Sequence, residues 1–168
     1  MKTKKIVQLA LFACLSVCIY AVESLIPPIL PVPGVKLGLA NVITLVVIYV
    51  IGTGESLLTL LIRITITTLL FGQVMSFLFS MAGGILSWIV MVLLSKIMDR
   101  CNIWAVSVFG AFAHNGGQIL IAVAVTRQLA VAYYFLFLVI SSVITGVFTG
   151  ICAKYCIEKA EKIKLFKI

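Results

Sequence analysis

The sequence predicts an all-α integral membrane protein, a single domain over residues 1–168 built as a bundle of six transmembrane helices. Three observations predict it. First, 63% of the residues are hydrophobic, only 11% are charged, and the mean hydropathy is +1.27. A soluble domain keeps about a quarter of its residues charged, and a chain this small has too much surface to hide so much apolar side chain. Second, several apolar runs approach about 20 residues, the length needed to cross a hydrocarbon core roughly 30 Å thick. Third, the basic residues fall almost entirely on one side of the resulting topology.

The first span is expected over 6–26. It opens on Lys2, Lys4 and Lys5 and stops at Pro27-Pro28. Its apolar run is longer than the core of a secretory signal and meets no small-residue cleavage site before the prolines, so it is read as a spanning helix. The second span is expected over 37–51, closed by Gly52-Thr53-Gly54, and the third over 56–71, closed by Gly72. Both are short, which puts the Gly52–Glu55 turn near the membrane edge. The fourth, fifth and sixth are expected over 74–95, 103–125 and 131–155. No internal repeat, low-complexity tract or domain linker interrupts them.

With the N-terminus cytoplasmic, six spans return the C-terminus to the same side. Lys2, Lys4, Lys5, Lys96, Arg100, Lys154, Lys159, Lys162, Lys164 and Lys167 are then inside, Lys36 and Arg127 outside, and Arg63 within the membrane. The net charge of +8 is explained by topology and calls for no nucleic-acid partner. The C-terminal "KAEKIKLFKI" reads as a helix end lying against anionic lipid of a cell membrane.

Polar groups inside a membrane are expensive and mark cavities, partners or one another. Glu23 lies near the outer end of the first span, Lys36 at the outer mouth of the second, and Asn41 about one turn inside it. Arg63 lies near the middle of the third span, and His114, Asn115 and Gln118 near the middle of the fifth. In this topology the set lies between the midplane and the outer surface, as for an outward-opening pocket with a closed floor. Thr59, Arg63 and Thr67 are four residues apart and share a face, as do His114 and Gln118. Gly116 and Gly117 lower the helix wall for a ligand or a neighbouring helix. Alternatives stay open: Arg63 can pair with Glu23 or meet a ligand, Lys36 can snorkel to headgroups, and His114 can be a hydrogen-bonded core residue. Lys36 and Asn41 are five apart, so Lys36 can belong to a lid and Asn41 alone to the pocket wall.

Small residues form ridges on three spans: Ala10, Cys14 and Cys18 on the first, Ser76, Ser80 and Gly84 on the fourth, and Ser142, Gly146 and Gly150 on the sixth. Such ridges serve close packing inside the bundle or docking of another membrane protein. Five cysteines without a C-x-x-C, and one histidine, offer no metal site. The chain has no P-loop to hydrolyse ATP. Asp99 is the sole aspartate, so the clustered carboxylates that hold Mg²⁺ on a prenyl diphosphate are missing and no catalytic role or cofactor is expected.

"PGVKLGLANVITLVVIYVIG" at 33–52, Arg63 followed by "LLFG" at 69–72, and "FAHNGGQ" at 112–118 resemble the Gx transporter family, also known as heptaprenyl diphosphate synthase component I. The resemblance covers nearly the whole chain. The family is grouped with the substrate-binding S components of energy-coupling factor (ECF) transporters. That implies a six-helix bundle with cytoplasmic termini and an outward pocket for a small molecule, lined by Glu23, Lys36, Asn41, Arg63, His114, Asn115 and Gln118. It also implies docking to a membrane T component and ATPase subunits through small residues of the first helix, a role that Ala10, Cys14 and Cys18 match. Three basic or potentially basic groups against one carboxylate lead us to expect a ligand with an anionic or carbonyl-rich part. Vitamin-like, quinone-precursor and prenyl-type molecules all fit. A non-catalytic accessory role in heptaprenyl diphosphate or menaquinone synthesis is the alternative, and a small self-sufficient carrier or scaffold a third.

Overall fold

In a chain so poor in charge, helices form because each backbone polar group must find its partner within its own segment when no water is at hand. A computed structural model describes residues 3–25, 38–71, 74–128, 130, 133 and 135–162. All regular structure among them is helical: α1 (Thr3–Ser24), α2 (Asn41–Val50), α3 (Thr53–Phe71), α4 (Val74–Ile97), α5 (Ile103–Thr126) and α6 (Phe135–Lys162), with a 3-10 turn at Arg100–Asn102 before α5. Arg127 ends α5 in the left-handed region, and its N–H bonds the Val123 carbonyl at 2.8 Å.

Five helices, all but α2, are long and apolar enough to cross a bilayer. Their outer faces carry exposed Leu11, Leu15, Leu69, Phe137, Ile144, Phe148 and Ile151. That surface suits hydrocarbon and would be an aggregation liability in water. The chain is thus a multi-pass helical membrane protein.

Of the expected second span, the described helix covers Asn41–Val50, 10 residues, about 15 Å at 1.5 Å per residue and so about half a hydrocarbon core. It is entered by a tight turn in which Asn41, Val42 and Ile43 N–H bond the carbonyls of Gly38, Leu39 and Ala40 at 2.9–3.3 Å. It ends where the N–H groups of Ile51 and Gly52 share the Val47 carbonyl. Ile43 through Ile48 are all buried. The helix touches all five long helices and, with Phe12, Met91, Val92, Val106, Ala153 and Ile157, forms the centre of the apolar core. Hydropathy alone does not separate such a buried core helix from a lipid-facing span, because both are apolar all round.

Around α2 the bundle has two parts. The helices α4, α5 and α6 form a closely packed layer, whereas α1 leans chiefly on α3. Missing side chains set the close approaches. A Cβ on Gly146 would lie 2.5 Å from the Val108 Cα, one on Gly150 2.5 Å from the Trp104 Cα, and one on Gly117 2.7 Å from the Ala82 carbonyl oxygen. Lipid offers no hydrophobic drive between helices, so this contact density is what holds them. The small-residue ridges therefore divide. Gly84 packs on Leu60 and Ile64, and Gly146 and Gly150 on α5, all inside the bundle. Cys14 and Cys18 stay exposed. With Ala10 they line an apolar groove of about 520 Å³ whose other wall is Leu58, Ile62 and Ile66 of α3.

Two ion pairs mark one end of the bundle. Lys5 of α1 meets Glu55 of α3 at 2.5 Å, and Arg100 pairs with Glu161 near the end of α6. The start of α1, the α2–α3 connection, the α4–α5 connection and the end of α6 therefore share that end. Glu23, the start of α2 and the end of α3 lie at the other.

Candidate functional site

The site is built where α1 ends and α2 begins. Glu23 is in the last turn of α1, and its Oε1 accepts a hydrogen bond from the Gly38 N–H at 2.6 Å. Gly38 has φ +80°, a conformation that costs glycine least. A Cβ there would stand 3.2 Å from both the Asn41 Nδ2 and the His114 Cδ2. Glycine is thus required twice, for the turn and for the room it leaves to two polar side chains.

Asn41 opens α2 and reaches Ser87 of α4, its Nδ2 at a long 3.5 Å from the hydroxyl. His114 of α5 stands between Gly38 and Gly83, and a Cβ on Gly83 would lie 3.0 Å from its Nδ1. On its other side the ring meets Gln118, one turn along α5, with 3.2 Å between the Gln118 Nε2 and the His114 Nε2. An amide nitrogen can only donate, so the imidazole Nε2 accepts and the ring proton sits on Nδ1.

Arg63 of α3 completes the group. Its guanidinium faces the charge of Glu23 and the hydroxyl of Tyr20, and its field reaches His114. Thr59 and Thr67, on the same face of α3, bond back to the carbonyls of Glu55 and Arg63 at 2.9 Å, so their hydroxyls are engaged with their own helix.

Glu23, Asn41, Arg63, His114 and Gln118 come together about Gly38, and each is at least nine-tenths buried, with exposures of 4, 8, 4, 4 and 1%. Asn115 is turned elsewhere. Its Nδ2 donates to the Leu138 carbonyl at 3.1 Å and to the Ser142 hydroxyl at 2.8 Å, tying α5 to α6. Lys36, expected as part of a lid, lies outside the described residues. Gly117 serves the approach of α4, while a Cβ on Gly116 would find only Phe135 at 3.9 Å.

Three contributors were not among the residues expected to line the site: the Gly38 N–H that holds Glu23, the Ser87 hydroxyl that holds Asn41, and Gly83 behind the His114 ring. Serine and glycine are common in membrane helices for packing alone, so nothing in their spacing separates these from the others. Gly38 carried the one usable signal, a glycine at the entry of an apolar run beside a lysine and an asparagine.

Several buried polar atoms here have no hydrogen-bond partner: the Asn41 Oδ1, the His114 Nδ1 and the Gln118 Oε1, and, beside α6, the Asn115 Oδ1. Buried polar groups are almost always paired, and an orphan calls for an explanation in water, an ion or a bound molecule. Among the described residues no group of three or more histidines, cysteines, aspartates or glutamates could hold a metal ion.

No curated protein and no solved structure matches the chain. A family described as heptaprenyl diphosphate synthase component I matches residues 12–156, a stretch that contains Glu23, Asn41, Arg63, His114 and Gln118. This chain belongs to the heptaprenyl diphosphate synthase component I family.

Proposed function

We propose that the chain is the membrane-embedded substrate-binding subunit of an ECF-type importer in the plasma membrane, and that it captures a small vitamin-like, quinone-precursor or prenyl-type molecule in a pocket opening outward. The observation that carries this reading is the convergence of five buried polar side chains from α1, α2, α3 and α5 around one glycine, with unpaired atoms among them. A purely structural network satisfies its members, because a half-satisfied one is worse than an apolar core. The basic residues gathered at the opposite end support cytoplasmic termini and an outer position for the site. In the six-span topology expected from the sequence, the depth of the set suits a closed-bottomed pocket. The T component and ATPase subunits would dock on the exposed Ala10, Cys14 and Cys18 beside the α1–α3 groove.

A second reading is favoured by the family description itself: a non-catalytic membrane accessory of heptaprenyl diphosphate or menaquinone synthesis. Co-purification with a soluble prenyl synthase and no ATPase supports that reading, and co-purification with ATPases supports the first. The direct test is ligand-induced thermal stabilisation of the purified chain across vitamins, quinone precursors and prenyl phosphates. Capture at this site predicts that His114→Ala and Arg63→Ala, checked for folding, weaken binding of any hit at least tenfold. Unchanged affinity in both variants removes the site.

A further inference from the structure

The side-chain amides at and beside the site are sorted in one direction. Each amide nitrogen in the group has an acceptor: Asn41 Nδ2 has Ser87, Gln118 Nε2 has His114, and Asn115 Nδ2 has Leu138 and Ser142. Each amide oxygen, Asn41 Oδ1, Gln118 Oε1 and Asn115 Oδ1, has no donor. The Gly38 N–H, the backbone donor in the middle of the site, is held by Glu23. Among the described residues of the cluster there is one cation, Arg63, and one anion, Glu23, and they face each other.

We infer that the polar group this site recognises is an uncharged hydrogen-bond donor, a ring N–H, an exocyclic amine or a hydroxyl, received by the side-chain oxygens of Asn41 and Gln118. This rests on the capture reading above and names the chemistry of its substrate. A carboxylate or diphosphate brings only acceptors. At the Asn41 and Gln118 oxygens it would set acceptor against acceptor, and a buried group left unpaired loses its full desolvation energy. It would also add a net charge where Arg63 and Glu23 already offset each other, and an uncompensated charge is the most expensive thing to bury. A ligand with two adjacent donors is complementary instead. Asn41 Nδ2 and His114 Nε2 lie 3.2 and 3.4 Å from the same point, the Cβ that Gly38 lacks, and Gln118 bonds that imidazole nitrogen. Asn41 directly, and Gln118 through His114, are thus gathered beside Gly38.

The experiment uses the full chain in detergent. Small molecules that co-purify are extracted and identified by mass spectrometry. Binding is then measured for riboflavin, which is uncharged and carries an imide N–H and hydroxyls, for its 5′-phosphate, and for farnesyl diphosphate. The expected result is a co-purified compound with an uncharged N–H or O–H head, whose affinity falls at least tenfold in Gln118→Met and Asn41→Leu. Among the probes, the uncharged one is expected to bind tighter than its phosphate. If the compound is a phosphate or carboxylate lost in His114→Ala, capture stands and the assigned chemistry is wrong. If it binds equally well to Gln118→Met, the amide oxygens are not its receptors and the inference falls. If nothing co-purifies and no probe binds, the orphan oxygens hold only water, and capture and its chemistry fail together.

Discussion

Two faces of α5 carry polar groups in the same apolar helix, and they are paired to different degrees, although the Asn115 Oδ1 is open on the first as the Gln118 Oε1 is on the second. Toward α6, the Ser107 and Thr149 hydroxyls bond each other at 2.7 Å, Asn115 gives its amide nitrogen two acceptors, and Gly146 and Gly150 let the backbones meet. Toward α2 and α4, His114 and Gln118 bond each other and leave atoms unpaired beside Asn41. Position within a span shows only that a polar group is expensive there. Its partners show whether it holds the bundle together or waits for something else.

The sharpest way to break the comparison is to disturb charge on the unpaired side. Arg63→Met removes the buried guanidinium whose charge acts on Glu23, and breaking a buried charge pair costs up to about 3–5 kcal/mol. Thermal unfolding in detergent is expected to show a large drop for Arg63→Met and recovery of most of it in the Arg63→Met/Glu23→Gln double variant. If the single substitution is silent, the two residues do not depend on each other. Arg63 is then held by something other than the α1–α3 contact.

Much of this site was legible in the sequence because the rule behind it is severe. In an apolar chain, Glu23, Asn41, Arg63, His114 and Gln118 stand out by residue type alone, and counting turns puts them at one depth. Direction was not legible. Asn115 sits next to His114 in sequence, yet the 100° between successive helical residues turns it to α6. The ligand's chemistry is read differently at the two levels. Counting Lys36, Arg63 and His114 against Glu23 suggests an anionic or carbonyl-rich ligand, whereas the open amide oxygens of Asn41 and Gln118 underlie the proposed neutral donor. The fold was legible to the extent that length and hydropathy determine it. The helices emerge close to their expected bounds, except that α6 runs on to Lys162, and what α2's own composition did not show is its burial by neighbouring helices.

The α6 face is tested by volume. Gly146→Ala adds a Cβ 2.5 Å from the Val108 Cα, where only backbone movement can make room. Overpacking of this kind costs about 1–3 kcal/mol. Gly116→Ala, on the same α5 helix, meets open space and gains helix propensity of up to about 1 kcal/mol. Unfolding temperatures are therefore expected to fall for the first and hold or rise for the second. Equal effects would mean that the α5–α6 seam yields more readily than its geometry implies.

The smallest expected effect is also the most discriminating. Asn115→Leu removes the donor to Leu138 and Ser142. Interhelical hydrogen bonds in membrane proteins average about 0.6 kcal/mol and reach about 1.7, so a modest loss of stability is expected with ligand affinity unchanged. Gln118→Met, one turn away, removes an oxygen that has no partner and a single bond to His114. Deleting a buried unsatisfied acceptor offsets the lost bond, so its stability is expected to match the wild type while affinity falls. The two measurements cross: stability without affinity for one amide, affinity without stability for the other. If both variants lose stability alone, the face toward α2 is one more structural seam, and the orphan atoms are met by water.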